Sequence, residues 1–182
     1  MNALESLRNA IPDAAKDLRL NLGSVLQPSA LTKEQVWGTA VACAIAARNP
    51  QLRQATLEDA LVHVAPEVVE DAKAAAALMG MNNAWYPYVE MAGDDELKTL
   101  RADLRMNAYA THGGVDRRSF ELYALAASIV GKCGFCVRSH YKTLREAGMT
   151  TQQLRDVGRI AAVINAIAQV EASQAVPVAV AA

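Results

Sequence analysis

The chain has 182 residues, of which 52% are hydrophobic and 20% charged, and it carries a net charge of −1. A composition this apolar is far from the polar signature of disorder, and a chain of this length buries enough surface to fold without a metal or disulfide staple. The balanced charge, with no long Lys/Arg run, excludes a phosphate-tracking surface, so neither nucleic acid nor an anionic membrane is expected as a partner.

Helix formers dominate and alternating Val/Ile/Thr is scarce, so an all-α fold is expected. The stretch 4–20 predicts a helix with a break near Pro12 and an end at Asn21-Leu-Gly23; Gln27-Pro-Ser follows as a loop. Thr32-Lys-Glu-Gln35 has the spacing of a capping box, in which Gln35 reaches back to the Thr32 amide. The helix it starts runs to Arg48 and stops at Asn49-Pro50. Further helices are predicted over 57–64, 68–79 (opening after Pro66), 95–107, 116–130, 136–147 and 152–172. Met79-Gly-Met and the aromatic run to Tyr88 read as a helix end turning into a loop, with side chains assigned to the core rather than to a substrate pocket. Gly148 is a plausible C-cap, and Thr150-Thr-Gln-Gln153 is a second capping box.

One domain over 1–182 is expected, with 1–31 as an N-terminal helical segment and a weak internal repeat of about 32–95 on 116–172. At an offset of 84 residues, Thr32–Thr56 overlies Asp116–His140; one inserted residue later, Asp71 meets Asp156. Asn49 and Leu52 then stand where the second half has cysteines. The N-terminus lacks the apolar core of a secretory signal, and no window approaches the roughly 20 apolar residues of a membrane span, so a cytoplasmic location is the expectation. The short tail 174–182 is expected to fray.

The chemistry concentrates in Cys133-Gly-Phe-Cys136 with His140 and Glu121. In a reducing compartment, a close cysteine pair is more often catalytic or metal-binding than structural. Gly131-Lys132 ends one helix and the pair opens the next. On that helix Cys133, Cys136 and His140 would fall within roughly 60° of one another. His140, one turn beyond Cys136, can exchange a proton with its thiol. Cys133 sits in the first turn, where unpaired amides and the helix dipole favour a thiolate, and Lys132 and Arg138 add positive charge. The spacing also allows a short-range disulfide, so an oxidised sulfur can be resolved without a large rearrangement.

Glu121 lies between Phe120, Leu122 and Leu125. Periodicity alone favours a solvent-facing carboxylate; the alternative is a partly buried one that completes a proton relay with His140. A c-type haem site fails because Val137, not histidine, follows the second cysteine. A zinc-binding helical module using Cys133, Cys136 and His140, with Glu121, His112 or His63 as the fourth ligand, stays open. Cys43, within Ala-Val-Ala-Cys-Ala-Ile-Ala, reads as a small buried residue.

The chain resembles the alkylhydroperoxidase D (AhpD-like) family, related to the carboxymuconolactone decarboxylase superfamily. The likeness rests on Lys16-Asp-Leu-Arg-Leu-Asn21, Trp37-Gly-Thr, Arg48-Asn-Pro-Gln51, Met79-Gly-Met-Asn-Asn83, Leu104-Arg-Met-Asn107 and Phe120-Glu-Leu. Its most specific part is the spacing of Glu121, Cys133, Cys136 and His140. The resemblance implies two similar helical halves and assembly as a homotrimer. It implies an antioxidant thiol peroxidase that binds no cofactor, reduces organic hydroperoxides and is re-reduced by dihydrolipoyl groups of a lipoylated dehydrogenase subunit. It further implies reduction of a partner peroxiredoxin, alkyl hydroperoxide reductase C (AhpC); a disulfide reductase without direct peroxidase activity is the variant of that reading. By the same resemblance Cys136 is the nucleophile that becomes sulfenic acid, Cys133 is the resolving cysteine and proton donor, and His140 and Glu121 form the proton relay. The helix dipole by itself would favour Cys133 as the thiolate, whereas nearness to His140 favours Cys136. Well-known family members carry histidine directly before the second cysteine, where this chain has Phe135.

Overall fold

The computed structural model describes residues 2–27, 30–108 and 116–174. His112, the loop residues Pro28 and Ser29 and the tail beyond Gln174 lie outside the described residues. Among the described residues the chain is all-α. It forms α1 (Ala3–Ala10), a 3₁₀ turn (Asp13–Ala15), α2 (Lys16–Val25), α3 (Lys33–Ala46), α4 (Pro50–His63), α5 (Pro66–Ala92), α6 (Asp95–Thr99), α7 (Arg117–Val130), α8 (Gly134–Glu146) and α9 (Thr151–Gln174). No helix among them is long and apolar enough to cross a membrane.

Local chemistry explains most of the boundaries. Thr32 Oγ1 accepts from the Gln35 amide at 3.3 Å while Gln35 Oε1 accepts from the Thr32 amide at 3.1 Å, the expected reciprocal box. Thr150 and Gln153 repeat it at 2.8 and 3.2 Å. Gly148, at φ +87°, closes α8 with the Met149 amide bonded to the Leu144 carbonyl, a Schellman arrangement.

Several boundaries depart from the sequence expectation. The predicted end near Gly23 gives way to a helix that runs on to Val25, because Leu22 and Val25 are buried. Asn49-Pro50 not only stops α3 but starts α4. Asn49 Oδ1 accepts from the Leu52 amide at 2.9 Å, and Pro50 occupies the first helical position, where its missing N–H is not needed. The expected helix over 95–107 is only Asp95–Thr99, and Leu100 and Leu104 beyond it are exposed. The largest correction is α5, which continues through Gly80 and Pro87 to Ala92 instead of ending at Met79.

The core is built on α3 and α7. Nine consecutive residues of α3 (Val36–Ala44) and ten of α7 (Ser119–Ser128) are buried, so both helices are covered on all sides. α5 and α9 pack against this pair. The alanines of both helices let backbones approach closely, and Gly38 is the tightest case: a Cβ there would lie 2.2 Å from the Tyr123 ring. Full burial of Phe120, Leu122, Leu125, Leu52 and Ile164 contributes roughly 1.5–3 kcal/mol each.

Candidate functional site

The cysteine turn is a helix end joined directly to a helix start. Lys132 adopts φ +57°; its amide bonds the Ile129 carbonyl at 3.1 Å and the Cys133 amide bonds the Ser128 carbonyl at 3.2 Å. Cys133 thus closes the Schellman motif of α7 and is at once the N-cap of α8, where its Sγ accepts from the Cys136 amide at 3.2 Å. It precedes the helix rather than lying on it, as the sequence had suggested. Gly131 is required here: a Cβ would stand 2.1 Å from Asn83 Nδ2, which donates to the Ala127 carbonyl at 3.1 Å. Asn83 of α5 thereby fastens the end of α7 that presents the cysteines.

Cys133 and Cys136 are joined by a disulfide, with Cα atoms 5.3 Å apart. The two sulfurs are not equivalent. Cys133 is fully buried, whereas Cys136, 3% exposed, lines a cavity of about 340 Å³ together with Asn82, Tyr86, Met106, Phe135, Ser139 and His140. Its Sγ lies 3.8 Å from the Asn82 carbonyl oxygen.

His140 occupies the next turn of α8, and Glu121 reaches it from α7. Glu121 Oε2 is 2.7 Å from His140 Nδ1, with the carboxylate 4% and the histidine 6% exposed. A carboxylate only accepts, so Nδ1 carries the proton in this contact, which fixes the ring's orientation. Nε2, left without a proton in the neutral ring, lies 3.2 Å from Met79 Sδ. Arg117, one turn before Glu121, is itself exposed and places its Nε 3.9 Å from the buried Oε1. Glu121 therefore does not face solvent, contrary to what its periodicity favours.

The remaining candidates lie elsewhere. His63 stacks on Trp37 with ring centroids 4.5 Å apart, beside a separate cavity of about 510 Å³. Cys43 is buried and desolvation pushes its thiol far up, which removes its nucleophilicity. Lys132 and Arg138 stand near the turn, but Arg138 pairs with Glu90 at 3.7 Å. Among the described residues no three His, Cys, Asp or Glu side chains are grouped to hold a metal ion.

Sequence reasoning missed the contribution of α5. Met79, Asn82 and Tyr86 recur at helical spacing on one face and supply one wall of the site. The signal was present as the polar pair Asn82-Asn83 within an otherwise apolar segment. Of the residues assigned to the core, Met79 is buried, Tyr86 lines the cavity and Tyr88 is exposed.

Residues 95–180 match the model of the carboxymuconolactone decarboxylase family. The chain is 46% identical to a protein of Solibacter usitatus over 97% of its own length and 99% of the relative's. It is 46% identical to one of Rhodospirillum centenum and 48% identical to one of Anaeromyxobacter dehalogenans, each over 92% of this chain and 90% of the relative. All three relatives are named alkyl hydroperoxide reductase AhpD.

Proposed function

The chain belongs to the alkyl hydroperoxide reductase AhpD family, and from that premise we propose that it reduces organic hydroperoxides by a dithiol–disulfide cycle. The observation that carries this reading is the asymmetry of the pair: Cys136 opens onto the cavity that His140 also lines, while Cys133 is sealed behind it.

In the proposed cycle, reduced Cys136 gives its proton to His140, whose imidazolium is stabilised by the Glu121 carboxylate. The thiolate attacks the distal oxygen of ROOH; an S–O bond forms, the O–O bond breaks, and the alkoxide leaves as ROH with the proton returned by the relay. Cys136 is now sulfenic acid. The Cys133 thiol attacks its sulfur, the S–S bond forms and water leaves. The dithiol has lost two electrons and the peroxide has gained them. A dihydrolipoyl group of a lipoylated dehydrogenase subunit then reopens the disulfide and becomes a cyclic disulfide itself. The same disulfide exchange lets the reduced pair serve the peroxiredoxin AhpC. A cytoplasmic homotrimer with no bound cofactor completes the proposal.

The test is hydroperoxide consumption with dihydrolipoamide as donor, with and without the peroxiredoxin. Turnover without the peroxiredoxin supports the peroxidase; turnover only in its presence would reduce the protein to an electron-transfer adaptor. Near-stoichiometric zinc in untreated protein would replace both with the metal module.

A further inference from the structure

We propose that Phe135 and Tyr86 form an aromatic wall that selects hydroperoxides carrying an aryl or comparably bulky apolar group over hydrogen peroxide; this rests on the hydroperoxide reductase reading and names its substrate class. The chain has only two phenylalanines. Phe120 is fully buried, but Phe135 is 46% exposed although it directly precedes the cavity-lining cysteine. The ring is not free in space. It stacks on Tyr86 with centroids 4.4 Å apart and planes 23° from parallel, a contact that holds both rings in place. Both line the cavity that contains Cys136 and His140.

The stack therefore presents a flat apolar surface beside the sulfur that meets the peroxide, and it is already ordered before substrate arrives. Preordering matters because little side-chain freedom remains to be lost on binding. Met106 also lines the cavity, with a deformable thioether that fits irregular apolar groups and whose Sδ accepts from Asn82 Nδ2 at 3.6 Å. Asn82 and Ser139 are the neutral polar side chains that remain for the peroxy head. About 340 Å³ lies at the small end of ligand pockets, room for one aryl-sized group. Hydrogen peroxide has no apolar portion and gains nothing from the wall. An aryl group that covers the exposed phenyl face gains both burial and stacking.

The experiment is rapid mixing of pre-reduced protein with cumene hydroperoxide, tert-butyl hydroperoxide or hydrogen peroxide, without donor, followed by counting of remaining thiols. Each rate is divided by that of free dithiothreitol with the same peroxide to remove intrinsic reactivity. The normalised cumene rate should exceed that of hydrogen peroxide by at least about tenfold, a factor worth 1.4 kcal/mol. Phe135→Ala should collapse that ratio, Phe135→Leu should leave an intermediate one, and Tyr86→Phe, which keeps both rings, should retain it. No preference in the parent protein, or an equal loss for all three peroxides in Phe135→Ala, overturns the proposal. Loss of thiols to none of the peroxides would overturn the reductase reading itself.

Discussion

Two turns of this molecule, 84 residues apart, share a backbone and differ in chemistry. Arg48 and Lys132 both adopt left-handed φ, at 60° and 57°. Each is followed by an N-cap whose side chain accepts the amide three residues on: Asn49 from Leu52, and Cys133 from Cys136. At the four positions that hold Glu121, Cys133, Cys136 and His140 in the second turn, the first holds Trp37, Asn49, Leu52 and Thr56, all buried. Thr56 bonds the Leu52 carbonyl at 2.7 Å, and Asn49 also donates to the Ala168 carbonyl at 3.3 Å. The first turn thus spends its positions on packing and strong oxygen caps. The second holds a weaker sulfur cap, a buried carboxylate–imidazole couple and the disulfide. The aspartates at equivalent places diverge as well. Asp156 pairs with Arg155 at 2.8 Å and receives an amide from Ala30, bonds that hold its carboxyl below the usual range against the opposing effect of burial. Asp71 is fully buried with no hydrogen-bond partner for either oxygen among the described residues, and desolvation, aided by the nearby Asp116 charge, pushes it up to about 7.

The contrast breaks most visibly at the sulfur. Cys136→Ser should abolish hydroperoxide consumption while circular dichroism stays unchanged; normal turnover in that variant would remove Cys136 as the nucleophile. Next comes the buried couple, since the first turn folds without one. Glu121→Gln should lower the rate by about 10²–10⁴ with the fold intact, the range general acid–base help supplies, measured as kcat with dihydrolipoamide as donor.

The aspartates give a smaller, pH-dependent effect. Asp71 binds a proton in the folded chain that it loses at lower pH when unfolded, so its contribution to stability is full below the unfolded value and is lost as pH rises through about 7. Between these limits stability should fall by up to about 1.4 kcal/mol per pH unit. In urea titrations from pH 4 to 8, Asp71→Asn should flatten this fall; an unchanged slope would show that another group sets it. The cap is the smallest effect. In reducing buffer, Cys133→Ser should be more stable than Cys133→Ala by about 1 kcal/mol, as expected for restoring an N-cap hydroxyl, read from the shift in urea midpoint.

What the sequence made legible was local. Both capping boxes, the Gly148 cap and the break at Gly131-Lys132 depend on side chains within a few residues of the backbone they bond, and each lies where its spacing puts it. The pairing of Glu121 with His140 depends on two helices meeting 19 residues apart, which periodicity along α7 cannot report. The length of α5 was hidden for a related reason. Gly80 signals a helix end, yet buried Met79 and Asn82 carry the helix past it. The helix expected over 95–107 fails in the opposite way: only Asp95–Thr99 forms, and Leu100 and Leu104 beyond it are exposed.

The uninterrupted run of α5 ties the cavity to a single rod. Because Met79, Asn82 and Tyr86 ride on one helix, inserting one residue among them would swing everything downstream by about 100°. Such a change would carry the stacked ring away from the cavity and pull Asn83 off the end of α7 in one motion. Side chains along this stretch can be exchanged one at a time, but its register is inherited whole.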